Sequence, residues 1–183
     1  MPDDDALHPP VTVAPRQPGA RFLLSHPAHF IALGAGSGLA PVAPGTVGTL
    51  WAWLAFVALQ PWMTPARWAA LLAAAVVVGA WACTVTARDL GAADPGAIVW
   101  DEIVGFWLVL WLVTPAGFWS QAAAFALFRA FDAAKPGPVA WADQRFKARR
   151  GQAIGWRQGV GILFDDLVAA LCTLLVIALW SRW

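Results

Sequence analysis

The sequence predicts an all-α, multihelical integral membrane protein with about five hydrophobic helices, the third and fourth short enough to form a hairpin. Composition is the first reason: 60% of the 183 residues are apolar, 13% are charged, and the mean hydropathy is +0.61, well outside the range of soluble domains. The second is the arrangement of the apolar residues in long runs separated by proline- and glycine-bearing breaks. The third is the presence of 13 Trp and no Tyr. Trp51, Trp53, Trp62, Trp68, Trp100, Trp119 and Trp180 fall near segment ends, where an indole can bury its ring and send its N–H to the headgroup layer.

The elements follow in order. Residues 1–28 open acidic and continue proline-rich, without the basic start and apolar stretch of a signal peptide, and are expected to form a disordered tail ahead of a single membrane-embedded domain, 29–183. The first helix is expected over 47–62 and the second over 68–86, with Pro61 and Pro65 forcing a tight turn between them. Segments 103–113 and 118–130 are apolar but short, and Thr114-Pro115-Ala-Gly117 divides them; they either cross as a pair or form a half-buried hairpin. The fifth helix is expected over 162–180, with Asp165 and Asp166 near its start.

A net charge of +1 gives no basic field for nucleic acid, but the few charges are unevenly placed. With the amino terminus inside, Arg16, Arg21, Arg88, Arg129, Lys135, Arg145, Lys147, Arg149, Arg150 and Arg157 all fall on the cytoplasmic side, leaving Arg67 and Arg182 outside. Cys83 and Cys172 sit in apolar stretches as packing residues, with no disulfide or metal spacing. This orientation brings four polar patches to one face: Gly34 to Thr49, Arg88 to Glu102, Arg129 to Lys135, and Asp165-Asp166. Ionisable groups in membrane segments are costly and mark function.

The acids at that face are Asp101, Glu102, Asp132, Asp165 and Asp166, and all three histidines lie far upstream. Hard oxygen donors without imidazole or thiolate suit Mg2+ and disfavour zinc. Adjacent helical residues point about 100° apart, so each acidic pair is expected to supply one ligand and one supporting group. A preference of Asp165 and Asp166 for a helix start is the simpler alternative. Arg129, Asp132 and Lys135 are spaced along one helix face, as either a phosphate-and-metal site or a plain ion-pair stripe. The glycine-rich lead-in to the first helix can aim backbone N–H groups at a phosphate, with Gly45, Thr46 and Thr49 as the candidate contacts. A flexible lead-in is equally compatible with its composition. Four residues separate Cys83 from Arg88, one short of a cysteine-phosphatase loop, and no histidine follows His29. Attack by water and an aspartyl nucleophile remain.

Four ordered motifs carry a resemblance: Gly36-Ser-Gly-Leu-Ala-Pro-Val-Ala-Pro-Gly-Thr-Val-Gly-Thr49, Ile98-Val-Trp-Asp-Glu102, Arg129-Ala-Phe-Asp-Ala-Ala-Lys-Pro136 and Gly161-Ile-Leu-Phe-Asp-Asp166. Together they make the chain resemble the phosphatidylglycerophosphatase A family over roughly residues 30 to 180. The resemblance implies a multi-pass enzyme of the bacterial cytoplasmic (inner) membrane with its active site facing the cytoplasm. It also implies Mg2+-dependent conversion of phosphatidylglycerophosphate to phosphatidylglycerol. The same five acids become the catalytic and metal residues, and Arg129 and Lys135 the basic partners. Two rivals stand beside it: a phosphatase for another lipid phosphate such as phosphatidic acid, and a small ion transporter. Residues 144–158 are longer and more basic than the family pattern, suiting either contact with anionic headgroups or simple retention on the cytoplasmic side.

Overall fold

Proline, glycine and threonine punctuate the chain where its helices begin and end. A computed structural model describes residues 18–146 and 154–180; Arg16, Lys147, Arg149, Arg150 and Arg182 lie outside them. The described residues are all-helical, without a strand. Two short helices, α1 (Ala20–Leu23) and α2 (Pro27–Ala32), lead into a 3-10 turn over Gly34–Leu39. Then come α3 (Pro44–Leu59), α4 (Pro65–Leu90), α5 (Trp100–Val113), α6 (Phe118–Ala134), α7 (Gly137–Phe146) and α8 (Trp156–Trp180). Helix α4 starts with Thr64 accepting from the Arg67 amide and Pro65 in its first turn, and stops at Gly91 in the left-handed conformation.

Among the described residues two helices, α4 and α8, are long and apolar enough to cross a membrane; α3, α5 and α6 have 16, 14 and 17 residues. Outward apolar side chains such as Leu54, Val77, Leu171, Leu175 and Leu179 are exposed on α3, α4 and α8.

Several boundaries move. The expected tail limit at residue 28 falls inside α2, whose buried His29 joins Asp89 of α4 at 2.8 Å through Nε2, while residues 1–17 lie outside the described part. Helix α8 begins six residues earlier than expected, so Asp165 and Asp166 lie well inside it and cannot serve as its cap. Helix α7 was not foreseen, although Val139, Ala142 and Phe146 recur at helical spacing. Three of the seven end-placed tryptophans point inward. Trp53 donates to Gln121 at 2.6 Å, Trp68 to Gln60 at 3.0 Å and Trp100 to the Ala75 carbonyl at 3.0 Å, satisfying indoles that packing removes from the surface. Trp51, Trp62, Trp119 and Trp180 remain exposed.

Helix α8 is the hub, packing against α4, α5, α6 and α7. Small residues let it approach. A Cβ on Gly159 would run into the Ala80 carbonyl and Thr84 of α4. Gly159→Val is therefore expected to destabilise the fold by about 1–3 kcal/mol through overpacking, read as a lower Tm in detergent; an unchanged Tm would show that this seam yields freely.

Candidate active site

Helix α5 opens with Asp101 and Glu102 in its first turn, where the helix dipole favours negative charge. One turn later, Gly105 leaves room that a side chain would fill: a Cβ there would meet the Asp166 carbonyl at 3.1 Å and the Phe128 ring at 3.0 Å. The absence of that side chain brings α8 and α6 onto α5, and it sets Asp166 beside the first-turn acids. Ligand oxygens of Asp101, Glu102 and Asp166 lie within 4.8 Å of one another. Each of the three carboxylates also has a buried oxygen with no hydrogen-bond partner: Asp101 Oδ1, Glu102 Oε2 and Asp166 Oδ2. Buried orphan acceptors are rare and call for a cation or a water. Three hard, convergent carboxylate oxygens fit a divalent cation of the magnesium or manganese type.

Asp132 of α6 adjoins Asp166 and is ion-paired with Arg129 one turn back. The Arg129 guanidinium also reaches Glu102, at 3.6 Å, and its buried Nε has no partner. Beside them α3 begins. Ala43, in the left-handed conformation, precedes Pro44 without a side-chain cap, so the positive end of α3 is open. Gly45, the second residue of α3, presses so closely on this pair that a Cβ would collide with Glu102 and stand 3.2 Å from Arg129. Thr46 is half-buried on the same turn. Thr49 is fully buried, and its hydroxyl donates to the Gly45 carbonyl at 2.8 Å, which places it in the scaffold of this turn.

The expected single stripe of Arg129, Asp132 and Lys135 divides in two. Lys135 caps α6 at φ 43° and Gly137 follows at φ 33°, turning the chain away from the helix face and folding α7 back onto α8. The Lys135 ammonium consequently leaves Asp132. It donates to Asp143 of α7 at 2.8 Å and is also ion-paired with Asp165. Burial works against this charge, yet the hydrogen bonds to Asp143 and Asp165 outweigh it and hold the amine above the ordinary lysine range. The acids thus form two neighbouring groups, one around Asp101, Glu102, Asp166 and Asp132, the other around Lys135 with Asp165 and Asp143. Sequence reasoning named neither Gly105 nor Asp143. A glycine inside an otherwise apolar helix was a signal for the first; the second became legible only once α7 was known to be a helix.

The family model described as "Phosphatidylglycerophosphatase A" matches residues 30–181. The chain is 36% identical over 165 residues to the Escherichia coli protein named phosphatidylglycerophosphatase A, covering 88% of this chain and 89% of that one. It is 34% identical over 166 residues to the Haemophilus influenzae protein of the same name, covering 91% and 96%. A Bacteroides thetaiotaomicron protein provisionally named a phosphatidylinositol-3-phosphatase is 37% identical over 161 residues, covering 84% and 92%. No solved structure matches the chain.

Proposed function

The chain belongs to the phosphatidylglycerophosphatase A family, and from that premise we propose that it hydrolyses the terminal phosphate monoester of phosphatidylglycerophosphate to phosphatidylglycerol and inorganic phosphate. It does so with Mg2+ at the cytoplasmic face of a bacterial inner membrane. The observation that carries this reading is the set of three convergent carboxylates, each with a buried orphan oxygen, beside an uncapped helix start and an arginine whose Nε is buried without a partner. Asp101, Glu102 and Asp166 would hold the ion, with Asp132 and Asp165 flanking them. Bound there, magnesium supplies Lewis-acid polarisation of the phosphoryl group and neutralises part of its charge.

The remaining work belongs to the chain's own groups. Arg129, whose buried Nε lacks a partner, donates to a phosphoryl oxygen, and its pairing with Asp132 fixes the direction of the guanidinium. The Gly45 and Thr46 amides at the start of α3 add donors, and the missing Gly45 side chain permits the approach. A carboxylate of the group would accept the proton of the attacking water as the new P–O bond forms and return it to the glycerol oxygen as the ester P–O bond breaks. Lys135 keeps Asp165 in place and carries its positive charge toward the site, with the third N–H of its ammonium left over from its two carboxylates. The exposed apolar faces of α3, α4 and α8 suit contact with acyl chains, so the lipid tails stay in the bilayer while the headgroup enters.

Inorganic phosphate released from phosphatidylglycerophosphate by detergent-purified protein tests this directly. Release is expected to stop on chelation and to return when magnesium is restored. Release that persists at full rate in chelator would overturn the metal assignment, and no release with magnesium present would overturn the activity. Phosphatidic acid in parallel assays measures the breadth of substrates.

A further inference from the structure

A groove of about 660 Å³ runs between the turn that leads into α3 and the loop that leaves α4. Its walls are chiefly apolar, with Leu39, Pro41 and Pro44 on one side and Pro95 and Ala97 on the other; Asp94 is the single ionisable side chain among the described residues lining it. Two of its lining residues connect it to the site. Pro44 precedes Gly45, which presses on Glu102. Asp94 also borders a second cavity, of about 60 Å³, shared with Asp143 and Asp165. Among the described residues no lysine or arginine lines the groove, a lining that disfavours a doubly charged phosphate. A carboxylate accepts hydrogen bonds and donates none, which selects hydroxyl groups. Apolar walls with one well-placed polar group are the usual composition of a site for a small neutral moiety.

We propose that this groove seats the hydroxylated linker joining the reacting phosphate to the rest of the lipid, with Asp94 accepting a hydrogen bond from a linker hydroxyl. The inference rests on the phosphatase reading above and narrows its substrates to polyol-linked lipid phosphates, in which a glycerol or a larger polyol separates the phosphate from the acylated part. Phosphatidic acid, with phosphate directly on the acylated glycerol, leaves the groove unfilled.

Two variants approach the groove differently. Asp94→Asn weakens the acceptor, and Gly96→Leu sends a side chain into it from a position where an added Cβ meets nothing within 4 Å. Each is expected to raise KM for phosphatidylglycerophosphate in mixed micelles about tenfold, the scale of one lost hydrogen bond to a charged group, with kcat changing far less. The preference over phosphatidic acid, compared as KM where that lipid is turned over and as competitive Ki where it is not, is expected to shrink by the same factor. Unchanged KM in both variants would overturn the proposal. A fall in kcat without a rise in KM would also overturn it, placing these residues in the chemistry or the scaffold. A wild-type protein that released no phosphate from phosphatidylglycerophosphate would sink the phosphatase reading itself, a result distinct from either.

Discussion

Asp166→Asn is expected to lower phosphate release about a thousandfold, at the upper end of what loss of one preorganised electrostatic group costs an active site, while the protein stays folded. Asp166 is 2% exposed, projects from the middle of the hub helix, and places an unpartnered oxygen against Asp101 and Glu102. Asparagine has nearly the same shape, so the α5–α8 seam at Gly105 is undisturbed. Removing one of three crowded negative charges also relieves repulsion in the unloaded protein, so Tm is expected to hold or rise. Binding of Mn2+, followed by its electron paramagnetic resonance signal in titrations, should weaken in step with activity. Asp165→Asn is the internal contrast, since that side chain points about 100° away, toward Lys135; a tenfold loss is expected there. Equal losses at both positions would contradict the division of the acids into two groups, and near-normal turnover in Asp166→Asn would remove Asp166 from the site.

The difference between these neighbours shows where sequence reasoning stops. The order of the apolar runs was enough to bring Asp101, Glu102, Asp132 and Asp166 to one face, even though the start of α8 falls six residues earlier than expected. Which member of Asp165-Asp166 faces the others depends on the rotational setting of α8. That setting comes from the tight α4 contact at Gly159 and the α5 contact at Gly105; a glycine in an apolar helix signals a close approach, but not which helix approaches or at what rotation. Lys135 was legible as a charge but not as a direction, since a non-glycine residue in the left-handed region is set by tertiary context. The tryptophans illustrate the same limit: a Trp near a segment end fits a headgroup layer, yet Trp68 and Trp100 found acceptors inside the protein. Composition fixes the solvent a helix prefers on average, and packing decides which indoles meet it.

Gly45→Ala separates the requirements of the helix from those of the site. Within α3 an alanine is welcome, because the backbone there is ordinary helix and alanine is favoured over glycine by about 1 kcal/mol in helical positions. The added methyl, however, would collide with the Glu102 carboxylate and crowd the Arg129 guanidinium. Glu102, whose carboxylate oxygen would be the atom nearest the added methyl, must yield, and its displacement moves one ligand oxygen and one arginine contact together. A misplacement of about 1 Å costs on the order of a hundredfold in rate, so Gly45→Ala is expected to lose about that much activity with Tm unchanged or slightly raised. Glu102→Asp shortens the displaced side chain by one methylene and makes room for the methyl. Added to Gly45→Ala it should recover part of the loss, although Glu102→Asp alone should impair the wild type. Rescue of that kind requires the two positions to be in contact through the site. Independent, multiplicative losses would instead show that Gly45 serves only the entry of the chain into α3, and the amides at that helix start would then lose their assigned part in holding phosphate.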